Sequence, residues 1–397
     1  MSDAGDKALL PAGLTDGLPP FAAQEAEVVE RLIASFAAHG YERVKPPLLE
    51  FEETLLARAG GDVAQQTFRL MDPVSQRMMG LRADMTPQVA RIAASRLVNA
   101  PRPLRLCYGG QVLQVKGSQM RPERQFGQVG AELIGAPQAR ADAEVVLLAA
   151  EALEAVGVAR LSVDLNLPTL VGALAEELGL PKTKTAMLRL ALDRKDVAAV
   201  DSIVGAQKAP FHALLRAAGP VEKALAALEK IEMPPALAEE VARLGGVVEL
   251  IRATAPELTL TLDPVEHRGF EYHTGISFIL FARGVRGELG RGGRYVMVQD
   301  ADQRAGQGPE RGADQDPDSA TGFTLYMDSV LRALPRPEPA RRLYLPAGCD
   351  PARAQALRAE GWLTLSGLDE DAAPEAEARR LGCTHVLLEG EIVSLDA

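Results

Sequence analysis

Gln128 and Glu132 stand four residues apart in the segment FGQVGAEL. Side chains alternate faces along a strand, so this even spacing puts an amide and a carboxyl on one face of a sheet. Asp84 and Thr86 sit in LRADMTPQVAR, where a strand pattern gives way to a helix. Thr86 suits the N-cap there and Pro87 the first helical position. HRGFEYHTG (267–275) adds Arg268, Tyr272 and His273, the last a titratable ring. Lys116, Arg121 and Arg124 form a basic cluster. These groups can hold a polar ligand. Patterns for bond-breaking chemistry are missing: no P-loop, His-Glu-x-x-His or Cys-x-x-Cys occurs. GELGRGGRY is glycine-rich but opens no helix after a strand, so it is no dinucleotide fingerprint. Its glycines suit close approach of backbones at a pocket. Taken singly, each group also has an ordinary use. Glu132 suits a buried arginine partner, Thr86 a cap, Arg268 a salt bridge, and the basic cluster a solvated loop.

The elements that must position these groups follow from periodicity. Val28, Leu32, Ile33 and Phe36 recur on one helical face, which predicts a helix from about Gln24 to His39, ended by Gly40. YERVKPPLLEF reads as a strand interrupted by Pro46-Pro47. Residues 67–86 read as two strands joined at Asp72–Ser75, and Ala139 to Val156 as a helix. LSVDLNL (161–167) and LTLTLDP (258–264) alternate as strands. Between them, about 168–256 is rich in Ala, Leu and Glu and reads as a helical insertion. Gln299–Ala320 holds no aliphatic residue larger than alanine and has the composition of a disordered loop. PRPEP (335–339) is a linker. Residues 341–397 alternate strand and helix patterns as a small α/β domain.

The chain has 397 residues, 47% of them hydrophobic, enough for a large core in two or three domains. Its net charge of −11 gives no global footprint for a nucleic acid. Three separated cysteines show no metal spacing and suit a reducing compartment. Without an apolar leader or a membrane-length apolar run, the expectation is a cytoplasmic, soluble protein that needs no cofactor.

Four segments, in order, resemble the catalytic domain of histidyl-tRNA synthetases. LRADMTPQVAR is similar to the family's Arg-x-Glu-x-Thr strand end. RPLRLCYGGQVLQVKGSQMRPERQFGQVGAELIG (102–135) is similar to motif 2. HRGFEYHTG resembles the Arg-Gly-Leu-Asp-Tyr-Tyr signature, and GRGGRY with GFTLYMDSVL resembles motif 3. The helix–Gly–strand–Pro unit near the start resembles motif 1, which builds the class II dimer interface. The resemblance implies an α+β fold: a class II aminoacyl-tRNA synthetase-like antiparallel sheet flanked by helices over 1–334. The helical insertion and the small C-terminal domain complete it.

The resemblance also implies a histidine pocket. Asp84 and Thr86 match positions that receive the ammonium. Gln128 and Glu132 match residues that contact the amino acid, Glu132 reaching the imidazole. Arg268 matches the arginine that pairs with the carboxylate. Tyr272 and His273 fill the Tyr-Tyr positions, His273 being a departure. The ATP contacts are lost. The motif 2 Arg-x-Glu is Gln114 and Lys116, and the motif 3 arginine is Ser329, preceded by Asp328 for Glu and Tyr326 for Gly. One lost cationic donor costs on the order of 10²–10³ in rate. A pocket that keeps amino-acid contacts without nucleotide contacts resembles the regulatory subunits of ATP phosphoribosyltransferase. That family implies no catalysis by the chain itself. It implies a short-form catalytic partner subunit in a hetero-octamer, a homodimer through motif 1, activation of the partner, and feedback inhibition by L-histidine. The alternatives are an amino-acid ligase with a rewired class II ATP site, and a tRNA-binding regulator.

Overall fold

The computed structural model describes residues 10–57, 61–118, 121–266, 273–297, 319–337, 340–369 and 373–395. Two compact units divide at residue 335. The first runs in the order α1 (Phe21–Ala38), β1 (Glu42–Arg43), β2 (Leu49–Phe51), α2 (Glu52–Leu56), α3 (Gly61–Gln66), β3 (Arg69–Met71), β4 (Met78–Leu81) and α4 (Thr86–Ser95). Then come β5 (Leu104–Leu113), β6 (Gln125–Ile134), α5 (Ala139–Val156) and β7 (Leu161–Asn166). Helices α6 (Leu170–Glu177), α7 (Lys182–Asp193), α8 (Val197–Val204) and α9 (Lys208–Ala217) follow. The unit closes with β8 (Gly219–Pro220), α10 (Val221–Leu228), α11 (Pro235–Thr254), β9 (Thr259–Leu262), β10 (His273–Ala282), β11 (Gly290–Val296), β12 (Ser319–Tyr326) and α12 (Met327–Ala333).

Among the described residues, one nine-stranded sheet organises this unit, in the order β1-β5-β6-β12-β11-β10-β7-β9-β8. Its six central strands, β5 through β7 in that order, pair antiparallel. The fold is therefore α+β. Period-two alternation gives the sheet two chemically different faces. Val129, Ala131 and Leu133 of β6, Phe323 and Leu325 of β12, and Phe278 and Leu280 of β10 enter the main core. There they pack with α1, α5 and α11, through residues such as Phe36, Leu153 and Val248. Phe36 meets Phe323 edge-on at 5.4 Å. The intervening positions point the other way, toward a smaller core built from α4 and Tyr108, Phe126 and Tyr295. That second face carries Gln128, Glu132 and Gly322.

Asp142 clamps the main core to the sheet. It lies in the first turn of α5, where a helix dipole favours a carboxylate. It is 2% exposed and receives Arg294 of β11 at 2.8 Å and Arg243 of α11 at 2.9 Å. Arg294 also donates to the Ala136 carbonyl and to Ser319 Oγ, tying β11 to β12.

Three readings from sequence change here. Helix α4 begins at Thr86 with Met85 as its N-cap and no side-chain cap, because the Thr86 hydroxyl bonds elsewhere. YERVKPPLLEF splits between two sheets: β1 pairs with β5, and β2 with β4 in a three-stranded sheet β2-β4-β3. The Pro46-Pro47 break separates them. Of the loop read over 299–320, Ser319 and Ala320 open strand β12, and the rest lies outside the described residues.

The second unit, 336–397, contains β13 (Arg342–Leu345), α13 (Pro351–Ala359), β14 (Leu363–Ser366), α14 (Pro374–Arg380), β15 (His385–Leu388) and β16 (Glu391–Ser394). Its sheet order is β14-β13-β15-β16, parallel except for the last pair.

Candidate ligand pocket

The second face of the large sheet collects buried polar groups around Glu132. Glu132 is 1% exposed. Its Oε1 accepts from Thr86 Oγ1 at 3.0 Å and Tyr108 Oη at 3.4 Å, and its Oε2 from Tyr295 Oη at 2.9 Å. These partners are all hydroxyls, with no cation among them. Desolvation therefore dominates, and the Glu132 carboxyl is pushed up to about 8. The arginine partnership that such a buried glutamate suits is not made by the described residues.

Gln128 sits beside it, 2% exposed, and its Oε1 accepts from the Met85 N–H at 3.0 Å. Asp84 accepts from the Thr86 N–H at 3.0 Å, and Gln128 also bonds it. Burial still raises the Asp84 carboxyl above its ordinary value, against those hydrogen bonds. The structure thus brings Asp84, Thr86, Gln128 and Glu132 together at the junction of β6 and α4. Tyr108 joins through Thr86 at 3.1 Å and Thr324 at 2.7 Å. His273, 6% exposed, opens β10 opposite Tyr295. Arg268 and Tyr272 lie outside the described residues.

Glycines make room for this cluster. Gly322 pairs with Glu132 across β12 and β6. A Cβ there would fall inside the Glu132 carboxylate and 2.6 Å from the Ala131 carbonyl. Gly322→Ala is accordingly expected to displace Glu132 and destabilise the protein by about 1–3 kcal/mol, as overpacking does. Chemical denaturation would measure it, and an unchanged midpoint would disprove the close approach. In β11, Cβ atoms at Gly290 and Gly292 would collide with carbonyls of β12, so these glycines let the two strands lie close.

The other end of the face holds a cation. Arg121 lies 3.6 Å over the Tyr326 ring and 5.0 Å from the Phe126 ring centre. It pairs with Asp328 at 3.4 Å and Glu288 at 3.6 Å. Its side chain is only 14% exposed, which corrects the solvated-loop reading of this residue. Lys116 is exposed. Gln114 points its amide at the Ala83 carbonyl, 3.4 Å away. Ser329 is 1% exposed and accepts from Arg332 at 2.9 Å. Arg332 bonds Asp328 as well. Among the described residues, Arg121 and Arg332 near Ser329 are thus already paired with protein acids.

Nothing in local pattern singles out Tyr108 or Tyr295, which reach Glu132 from strands far apart in sequence. Their one signal is parity: each falls on the strand face that excludes the main core.

A buried polar cluster on a class II-type antiparallel sheet, floored by glycine, defines a histidyl-tRNA synthetase-like protein. The family model for histidyl-tRNA synthetase matches residues 13–330. A solved structure titled as an ATP phosphoribosyltransferase regulatory subunit/histidyl-tRNA synthetase from Bacillus halodurans has the same fold. Its TM-score is 0.79, with 24% identity, covering 94% of this chain and 96% of that one. Full-length relatives narrow the class. The ATP phosphoribosyltransferase regulatory subunit of Paramagnetospirillum magneticum is 57% identical over 396 residues, covering 100% of both chains. That of Rhodospirillum centenum is 56% identical, covering 97% of this chain and 96% of the relative. The chain belongs to the family of ATP phosphoribosyltransferase regulatory subunits. Its part in histidine biosynthesis is therefore regulatory rather than catalytic, and a regulatory subunit implies a catalytic partner. No helix among the described residues is long and apolar enough to cross a membrane.

Proposed function

We propose that this subunit binds free L-histidine in the Glu132 pocket and passes its occupancy to a short-form ATP phosphoribosyltransferase catalytic subunit. The observation that carries this reading is the buried cluster itself. Asp84, Gln128, Thr86 and Glu132 offer acceptors with little cationic compensation. An ammonium group and an imidazole N–H supply what is lacking. Arg268, Tyr272 and His273 complete the pocket in this reading, Arg268 by pairing with the ligand carboxylate.

Nucleotide chemistry is absent from the proposal for a physical reason. Among the described residues, Arg121, Arg291 and Arg332 stand near Tyr326 and Ser329, and each pairs with Glu288 or Asp328. Their engagement by protein carboxylates weakens the ligase alternative. Regulation requires that histidine bind one state of the assembly better than the other. The complex is read as a cytoplasmic hetero-octamer. Unpaired cysteines at 107, 349 and 383 suit a reducing compartment. The regulatory subunit contributes as a homodimer through the motif 1 region. Exposed Leu48, Met71, Val74 and Met78 at the three-stranded sheet suit such an interface.

Calorimetric titration of the purified chain with L-histidine and, separately, ATP tests the core of this. The expected result is histidine binding without ATP binding, and histidine binding that Arg268→Ala weakens without dissociating the dimer. ATP binding with histidine-dependent pyrophosphate exchange would replace the sensor by a ligase.

A further inference from the structure

Helices α6, α9 and α10 of the helical insertion border a surface groove of about 990 Å³. Its lining residues recur at helical spacing. Ala209, Ala213 and Arg216 lie along α9, and Lys223, Ala226, Ala227 and Lys230 along α10 and the turn after it. Each run therefore presents one helical face to the groove. The alanines keep both faces low. Leu178, Ile231 and Met233, all partly exposed, add an apolar rim. Beneath the groove the packing is complete, since Leu174, Phe211 and Leu228 are buried in the main core. The groove is thus an outer surface of the insertion. A channel walled by methyl groups admits the apolar face of a further helix.

Cations stand along this channel. Arg216, Lys223 and Lys230 are exposed, and among the described residues none of them pairs with an acid. Other cations of the insertion are paired: Lys195 with Asp263, Lys208 with Asp201 and Arg252 with Glu222. Glu177 and Glu232 line the groove as well, so its own excess is a single positive charge. The wider setting adds to it. Residues 168–256 hold eleven Lys and Arg against eleven Asp and Glu, in a chain whose net charge is −11. The rest of the chain carries the whole negative excess, so an acidic surface is repelled less by the insertion than by the remainder.

We propose that this groove docks an acidic, amphipathic helix of the catalytic partner subunit. The apolar ridge of that helix lies on the alanines, and its carboxylates meet Arg216, Lys223 and Lys230. This rests on the partnership proposed above. A nucleic acid is the poorer match, because Glu177 and Glu232 repel phosphates and the alanine side chains offer them no donor. A second copy of this chain meeting groove to groove would set cations against cations.

The test uses the full chain as wild type, as Lys223→Glu/Lys230→Glu, as Ala226→Trp, and as Lys182→Glu/Lys184→Glu on α7. All five positions are exposed, so the substitutions spare the core, and unchanged melting temperatures check this. The two charge reversals alter net charge equally, but Lys182 and Lys184 lie outside the groove lining. Each protein is titrated with the cognate short-form catalytic subunit at low and moderate salt, and its mass alone is measured by sedimentation. The groove reversal is expected to weaken the complex by roughly tenfold or more and to flatten its salt dependence. Ala226→Trp, which fills the channel, should weaken it at both salt concentrations. The α7 reversal should stay within about threefold of wild type. Equal weakening by both reversals would mean a diffuse attraction and overturn the docking site, as would full affinity in both groove variants. A change in the mass of the isolated groove variants would assign the groove to a second copy instead. Loss of a salt-dependent affinity for tRNA, with the protein complex intact, would assign it to nucleic acid. Wild type that forms no complex with the catalytic subunit would instead sink the partnership on which the proposal rests.

Discussion

Glu132→Gln is expected to stabilise the ligand-free protein at pH 8 while removing most of its affinity for L-histidine. The sign follows from linkage. The folded Glu132 carboxyl is raised to about 8, whereas an unfolded glutamate titrates near 4.3. The native state therefore holds its proton longer than the unfolded state does. The contribution of this group is fully present below pH 4 and is lost as the pH climbs to 8. Glutamine has no proton to lose. Its advantage should be small at pH 4–5 and should grow to a few kcal/mol, roughly 3–5 at most, by pH 8. Denaturant unfolding at pH 5 and pH 8 reads this directly. Equal differences at both would mean that Glu132 is ionised in the fold. The binding effect has the opposite sign. If the ligand is held by the carboxylate form, wild-type affinity should rise between pH 6.5 and 8, by up to about tenfold per unit. Proton release on binding, measured in buffers of different ionisation enthalpy, should accompany it. Glutamine should bind more weakly and show no release from this position.

Asp142→Ala should have the largest effect on the fold. Two arginines converge on this carboxylate, and Arg294 is itself 7% exposed. Removing the acid takes from the buried Arg294 guanidinium the carboxylate that it pairs with, while its bonds to the Ala136 carbonyl and the Ser319 hydroxyl stay. Breaking such a buried pair costs about 3–5 kcal/mol. That is a large part of the margin of an ordinary domain. The measurement is the unfolding midpoint of the first unit, followed by far-UV circular dichroism. A loss below 1 kcal/mol would mean that α5 and β11 are held by apolar packing alone. Joint replacement by apolar residues of similar volume should be far milder than the single change.

The cluster was partly legible in advance, and the reason is periodicity. Gln128 and Glu132 share a face because strands repeat every two residues, and that needed no tertiary information. Asp84 and Thr86 were marked by the change from strand to helix pattern. Thr86 was misassigned as a cap because its hydroxyl has two possible uses, one local and one reaching 46 positions along the chain. Only the nonlocal one is realised. Arg121 was read as solvated for a similar reason. Its partners Glu288, Tyr326 and Asp328 come from distant parts of the chain.

The amino-acid sequence by itself determined the elements and their two-faced alternation, because these depend on neighbours within a few residues, while the α+β class was implied by the resemblance of its motifs to a known family. It also carried the four ordered motifs that lead to the regulatory-subunit family. Tertiary structure decided the chemistry at the polar face. Register alone put Gly322 opposite Glu132. Burial, with the nearby Asp84 charge adding to it, raised the Glu132 carboxyl, since desolvation depends on everything packed around a group rather than on its place in the chain.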